Sequence, residues 1–205
     1  IISGCEGKGE NTAPSAVNFP NALTVLRVVL VPVFLWLLLE NTTGSRWWAL
    51  AVFAIAAYTD HLDGEIARKQ NIITNFGKLA DPLADKFLTL GAFIALSILG
   101  DLTWWFTIIV AVREIGITIL REVLRRRGTI VAASSGGKLK TVLQMVLIMM
   151  LIVPWDAFSN ALILQLLLIV IWIIALAALV VTVWSGVQYA VVAAHAMKKQ
   201  NGDEA

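Results

Sequence analysis

The chain is short of the residues that build most polar active sites. It has one cysteine, Cys5, which excludes a disulfide framework and a cysteine-built metal site. Two histidines, His61 and His195, leave little for a histidine metal centre. Charge is scarce too, at 15% of residues; soluble domains carry about a quarter. The formal net charge of +2 says little by itself, because placement matters more than the sum, and no nucleic-acid partner is expected. There is no internal repeat and no low-complexity tract.

What the chain does have is long apolar runs. Hydrophobic residues make up 59% of it and the mean hydropathy is +0.81. Its 205 residues suit one compact bundle rather than two domains. A helix needs about 20 apolar residues to cross the hydrocarbon core of a membrane. Six segments approach this: 21–39, 47–58, 83–99, 102–124, 139–153 and 161–194. The second is short, but residues 60–68 can continue its helix out of the membrane. The expected fold is therefore all-α, a polytopic membrane protein with six transmembrane helices. Residues 1–17 read as a tag remnant or disordered tail, 18–197 as the membrane domain, and 198–205 as a cytoplasmic tail.

Charge placement gives the orientation. The first, third and fifth connections hold a single basic residue, Arg46. Apart from Arg113 within a span, the other basic residues lie in the N-terminal part, the second and fourth connections with their flanking helix ends, or the C-terminal tail. Positive charge stays on the cytoplasmic side, so both termini and the even connections face the cytoplasm. Trp47, Trp48, Trp104, Trp105 and Trp155 then gather at the opposite interface as an aromatic belt.

The chemistry concentrates in one stretch. Asp60 and Asp63 are three apart, followed by Gly64, Ala67 and Arg68; Gly77, Asp81 and Asp85 come next. On helices, Asp60 with Asp63 and Asp81 with Asp85 each share a face. Pro82 fits the first turn of the second helix, where its missing N–H is harmless. A turn over 71–77 would bring the pairs together antiparallel. Four converging carboxylates repel unless cations sit among them, and hard ions such as Mg²⁺ prefer oxygen ligands and bridge to phosphate. Gly64 leaves room for a bulky ligand, and Arg68 can grip a phosphate with two bonds. For any single aspartate, a solvated loop partnered by Arg68, Lys69, Lys78 or Lys86 is the plainer account. Four at two helical spacings, with two glycines in register, favour a site.

This pattern, Asp60-x2-Asp63-Gly64-x2-Ala67-Arg68-x8-Gly77-x3-Asp81-x3-Asp85, resembles the signature of the CDP-alcohol phosphotransferases at every fixed position. The resemblance implies a six-helix membrane fold, two divalent ions (Mg²⁺ or Mn²⁺), and displacement of CMP from a CDP-linked substrate. It implies that Asp60, Asp63, Asp81 and Asp85 bind metal and that Asp85 is the base for the acceptor hydroxyl. Gly64, Ala67, Arg68, Thr74 and Gly77 would face the CDP moiety. A homodimer is also implied.

Residues 18–27 with Pro32, Arg113-Glu114-Ile115 with Leu120-Arg121-Glu122, residues 137–141 with Gln144, and residues 179–189 resemble the bacterial phosphatidylglycerophosphate synthases within that family. That branch places Asn21 and Thr24 near the nucleotide; capping of the first span is an equally good account, and both can hold. Its implied substrates are CDP-diacylglycerol and sn-glycerol 3-phosphate, in the bacterial cytoplasmic membrane among its lipids. Arg113 stands mid-helix, where a charge costs about 3 kcal/mol or more unless it meets a polar cavity. Arg113 and Arg121 project within about 80° of each other at roughly 100° per residue. With Lys138 and Lys140 they would hold the acceptor phosphate. Alternatively, Arg113 forms a structural ion pair with Glu114 or a neighbouring helix. Cardiolipin synthesis from phosphatidylglycerol, or an inositol phosphate or serine acceptor, would use the same chemistry. A transporter would need acids deep in the fifth or sixth span, and there are none.

The orientation has a direct test. Single cysteines at Thr42 or Ser159, with Cys5 replaced, should be modified by an impermeant thiol reagent in intact cells, and one at Ser135 should not. Labelling of Ser135 from outside would overturn both the orientation and the helix count.

Overall fold

A computed structural model describes residues 19–70, 75–126, 135–157 and 160–203, and every regular element among them is helical. The order is α1 Phe19–Glu40, α2 Thr43–Gln70, α3 Asn75–Leu99, α4 Trp104–Arg126, α5 Ser135–Ile152, a short 3₁₀ turn Trp155–Ala157, and α6 Ala161–Asp203. The six helices match the six apolar segments. One of them, over Ala161–His195, is apolar for long enough to cross a membrane by itself. Shorter apolar helices cover Val28–Glu40, Lys86–Leu99 and Leu139–Ile152.

Helix α1 packs on α2 and α3, α2 and α3 both reach α5, α3 meets α4, and α6 covers α4 and α5. The core between them is apolar. Phe34, Leu38, Phe53, Phe93, Leu96, Leu147 and Ile148 are fully buried. The Phe34 and Phe53 rings join α1 to α2 at 5.3 Å, and Phe93 and Phe106 join α3 to α4 at 5.6 Å. Gly91 lets α3 approach α1 closely: a Cβ there would stand 3.3 Å from both terminal methyls of Leu35. Beside the Phe93–Phe106 pair, the Ser97 and Thr107 hydroxyls share a hydrogen bond of 2.7 Å, so two buried polar groups satisfy each other.

Local chemistry sets the helix ends. Asn41, at φ 54°, follows α1 in the left-handed conformation that asparagine tolerates. Thr42 and Ser45 then cap α2 reciprocally, each hydroxyl accepting the other's backbone N–H at 3.1 and 3.0 Å. Gly100, at φ 84°, ends α3, and the N–H groups of Asp101 and Leu102 turn back to the Leu96 carbonyl. Asn160 caps α6 by accepting from the N–H groups of Leu162 and Ile163.

One side chain gathers three connections. Arg46, in the first turn of α2, donates to Asn41 Oδ1 at 2.8 Å and to the Leu151 carbonyl of α5 at 3.4 Å, and pairs with Asp101 of the α3–α4 corner. The first, third and fifth connections therefore meet at one end of the bundle. The apolar segments alternate direction as the charge pattern requires, and α4 and α6 run parallel. Exposed Trp47, Trp48, Trp104 and Trp105 surround this same end. Trp155 is half-buried beside them and donates its indole N–H to the Met150 carbonyl at 2.8 Å.

The start of α3 departs from expectation. The helix begins at Asn75, so Gly77 is helical and Pro82 stands seven residues inside α3 rather than in its first turn. Phe76, Leu79, Ala80 and Leu83 explain this, because their i, i+3, i+4, i+7 spacing carries the helical period back past the proline. The Lys78 carbonyl consequently has no backbone N–H from Pro82 to accept.

The Arg46 clamp is a stability element far from the aspartates. Arg46→Ala should lower unfolding stability in detergent by about 1–3 kcal/mol, because it removes a partly buried ion pair with Asp101 and the donor to a helix-end carbonyl. Turnover at low temperature should be nearly unchanged. A thermal melt of Arg46→Ala, Asp101→Asn and the double variant checks it: the two losses should not add.

Candidate active site

The four signature aspartates divide between two helices, Asp60 and Asp63 on the second half of α2, Asp81 and Asp85 on the first half of α3. Gly64, Ala67 and Arg68 follow on α2, Gly77 precedes on α3, and Asn21 and Thr24 lie in the first two turns of α1. These positions occupy the end of the bundle opposite Arg46. Their side chains, and that of Lys138 in the first turn of α5, lie outside the described residues, as does Thr74 altogether. As a donor set, four carboxylates suit a hard divalent cation. Among the described side chains, no other group of three acids, histidines or cysteines could hold one.

A second polar constellation is described in full. Arg113, the tenth residue of α4, reaches across to α6. Its Nε donates to the Thr182 carbonyl at 3.2 Å, one Nη to Ser185 Oγ at 2.8 Å, and the other Nη to Glu114 Oε1 at 3.2 Å. Lys140, buried on α5, pairs with the same Oε1 of Glu114. Below them Gln144 donates to Thr182 Oγ1 at 3.1 Å, and both are buried. Cations of α4 and α5 thus meet on one carboxylate oxygen, and α6 joins them through Arg113. Adjacent residues on a helix do not face each other, so the Arg113–Glu114 bond depends on the guanidinium being drawn round by α6.

Of the two accounts of Arg113 left open by its sequence position, the structure shows the ion pair with Glu114. A polar cleft borders Glu114 and Lys140. The cleft lies between α3, α4 and α5 and is lined by Lys86, Thr89, Leu90, Glu114, Lys140, Thr141 and Gln144. Lys86 and Thr89 are one and four residues past Asp85, so the cleft opens within about one helical turn of that aspartate along α3. Its free volume is about 20 Å³, room for one water. Arg121 is two turns further along α4. It is exposed and lies over the buried Tyr189 ring of α6, 5.6 Å from its centroid, a cation–π contact rather than part of the Glu114 cluster. A larger cleft, about 360 Å³, lies at the Arg46 end among Leu164, Leu168, Trp172 and Asp101. It contains none of the signature residues.

Sequence reasoning gave no role to Thr182 or Ser185, although both lie in the stretch 179–189 that carries the resemblance, and did not single out Lys86 and Thr89 as cleft residues. A signal existed for the first two. Hydroxyls three apart interrupt a helix that is otherwise almost wholly apolar, and such groups need partners within the bundle.

The family model described as CDP-alcohol phosphatidyltransferase matches residues 17–197. A Mycobacterium tuberculosis protein named probable phosphatidylglycerophosphate synthase is 42% identical over 175 residues, covering 84% of this chain and 79% of its own. A Bacillus subtilis CDP-diacylglycerol–glycerol-3-phosphate 3-phosphatidyltransferase is 36% identical over 157 residues, 69% of this chain and 81% of its own. A Streptomyces coelicolor cardiolipin synthase (CMP-forming) is 37% identical over 115 residues, 55% of this chain and 54% of its own. The match spans both aspartate-bearing helices and the Arg113–Glu114–Lys140 cluster: the chain belongs to the CDP-alcohol phosphatidyltransferase family.

Proposed function

We propose that the protein transfers the phosphatidyl group of CDP-diacylglycerol to sn-glycerol 3-phosphate, releasing CMP and forming phosphatidylglycerol phosphate. The observation that carries this reading is the joining of Arg113 and Lys140 next to a cleft one turn from Asp85. A phosphate monoester carries close to two negative charges, and a neutral alcohol would give these cations nothing to bind. The names of two relatives that align with most of this chain, at 42% and 36% identity, point to the same acceptor. The cardiolipin synthase match favours a second reading, phosphatidylglycerol as acceptor, over a little more than half of the chain.

The setting is a bacterial cytoplasmic membrane crossed six times, with the aspartate end and both termini on the cytoplasmic side. Supporting this is the outward face of the bundle. Val112, Ile115 and Ile119 on α4, and Leu162, Ile169, Trp172, Ile173, Leu176 and Val180 on α6, are all exposed. An apolar surface of that extent is uncommon on soluble monomers. The charged ends and tryptophan belt sit where the two interfaces would be. A homodimer is the assembly the family resemblance implies.

Each residue then has a task. Asp60, Asp63, Asp81 and Asp85 form the donor set for two divalent ions, Mg²⁺ or Mn²⁺, which supply charge neutralisation of the pyrophosphate when bound. Gly64, Ala67, Arg68, Thr74 and Gly77, with Asn21 and Thr24, surround the CDP group. Arg113, Lys140, Lys138 and Arg121 draw in the acceptor phosphate. Asp85 accepts the proton of the acceptor hydroxyl as that oxygen attacks the phosphorus of the phosphatidyl group. The bond to CMP breaks, and CMP leaves with the electron pair. A cleft of about 20 Å³ must widen to take glycerol 3-phosphate, and the lysine of the Lys140–Glu114 pair is the group that can turn to the incoming phosphate.

Two outcomes are expected. Purified protein with CDP-diacylglycerol and a panel of labelled acceptors should release CMP with glycerol 3-phosphate, and only with a divalent cation present. Asp60→Asn, Asp63→Asn, Asp81→Asn and Asp85→Asn should each abolish that release while membrane insertion persists. Near-normal turnover in any two of them would remove the two-ion site. In the second, Arg113→Ala and Lys138→Ala should raise the KM for glycerol 3-phosphate steeply, with the KM for CDP-diacylglycerol little changed. Truncating a buried charged contact typically costs about 2–5 kcal/mol, which corresponds to roughly 30-fold or more. Turnover with phosphatidylglycerol and none with glycerol 3-phosphate would assign the protein to cardiolipin synthesis.

A further inference from the structure

Arg113 is held from α6 more firmly than from its own helix, and the holding residues form a single turn. Thr182 offers its carbonyl to Nε, and Ser185 its hydroxyl to Nη2. The Ser185 hydroxyl in turn donates to the Thr182 carbonyl at 3.1 Å, which fixes its lone pairs toward the guanidinium. Gly186 contributes by lacking a side chain. A Cβ there would stand 3.1 Å from Arg113 Cγ and 3.3 Å from Nε, tighter than ordinary contact. The other described glycines of the α4–α5–α6 half, Gly116 and Gly137, have open space around them. Pinned at three nitrogens, Arg113 cannot yield to a Cβ without moving its guanidinium relative to Glu114.

We propose that the Thr182–Ser185–Gly186 turn of α6 is a positioning device for Arg113, setting how the protein recognises the phosphate of its acceptor. The inference rests on the reading that Arg113 binds that phosphate, and assigns α6 a part in acceptor recognition. The turn touches no substrate itself. Ser185 aims the guanidinium and Gly186 leaves the groove in which the arginine stem lies. Glu114 sets the far limit of its reach and keeps Lys140 in the same plane of action. α6 thereby fixes the acceptor site, while the donor nucleotide is left to α1, α2 and α3.

The test is steady-state kinetics on the purified, detergent-solubilised protein with both substrates varied. Gly186→Ala and Ser185→Ala should each raise the KM for glycerol 3-phosphate by about 3- to 10-fold, the scale for moving a charged contact by a fraction of an ångström. The KM for CDP-diacylglycerol should stay at its wild-type value. Ser185→Ala adds no bulk, so it remains informative if Gly186→Ala accumulates poorly. The deciding measurement repeats both substitutions with Arg113 shortened to alanine. There the atoms that Gly186 accommodates and Ser185 holds are gone, and neither substitution should raise the KM further by more than about 2-fold. Equal penalties in both backgrounds, or a joint change in kcat, both KM values and the melt, would make the turn a helix-packing element and overturn the proposal. If the wild-type protein ignores glycerol 3-phosphate, the acceptor reading fails by itself. The same double-variant series is then scored on the acceptor that is consumed. Coupling to Arg113 there retains the positioning role, and additivity removes it.

Discussion

A guanidinium in the middle of an apolar helix has to be satisfied from within the bundle, and the α4–α5–α6 half of this protein is organised around that requirement. Arg113 sits nine residues from the start of α4 and its side chain is 14% exposed. Glu114, Ser185 and the Thr182 carbonyl between them occupy three of its nitrogens. The same carboxylate takes Lys140, and Gln144 closes the Thr182 hydroxyl. Removing one member of such a network strands the others in a medium of low dielectric, so its parts constrain one another strongly. Helices with little apolar drive to associate in lipid gain their register from contacts of this kind. The parallel alignment of α4 and α6 follows the sequence Arg113 to Ser185, Arg121 to Tyr189, and Leu124 with Tyr189 and Ala193 in one buried cluster.

The two ends of the bundle carry charge for different reasons. At one, Arg46 is saturated by Asn41, Asp101 and the Leu151 carbonyl. That arrangement closes three connections and is complete in itself. At the other, the aspartates are concentrated at like-charge spacings that oppose stability unless a cation is bound. In the proposed function the Arg46 clamp and the aspartate motif thus stand at opposite ends of the bundle.

Much of the architecture could be read from hydropathy. The six helices fall on the six apolar runs, including α2, whose short apolar part continues through Asp60 and Asp63 to Gln70 as one helix. Basic-residue placement anticipated which connections share an end, and Arg46 now gives the physical reason. The start of α3 was misplaced because Pro82 was weighted as a first-turn residue, whereas the period from Phe76 to Leu83 carries the helix back to Asn75. The site divides similarly. The aspartate motif was legible because its spacing encodes one helical face on each of two helices. Arg113 was legible because it violates hydropathy. The Glu114 hub was visible only as one candidate partner among several, and Thr182 and Ser185 only as part of a resembling stretch, with no role attached. Partners some seventy residues apart are fixed by helix packing, which leaves no local trace beyond two hydroxyls in an apolar run.

The shared oxygen of Glu114 also constrains how an acceptor can enter. Arg113 and Lys140 approach it from different helices, one drawn by α6 and one rising from α5. In the proposed reaction a phosphate arriving in the adjacent cleft meets Lys140 on its wall and Arg113 behind Glu114, two cations already desolvated and already oriented. It exchanges with a carboxylate for their bonds instead of ordering two free side chains. The cost of that exchange falls on Glu114, which must keep one cation while the other turns. Of the two, Arg113 has Ser185 and the Thr182 carbonyl to hold it in place, while Lys140 is a single ammonium on a flexible stem with rotatable donors. In the proposed reaction the arginine then acts as the fixed reference for the phosphate, and the lysine as the group that follows it.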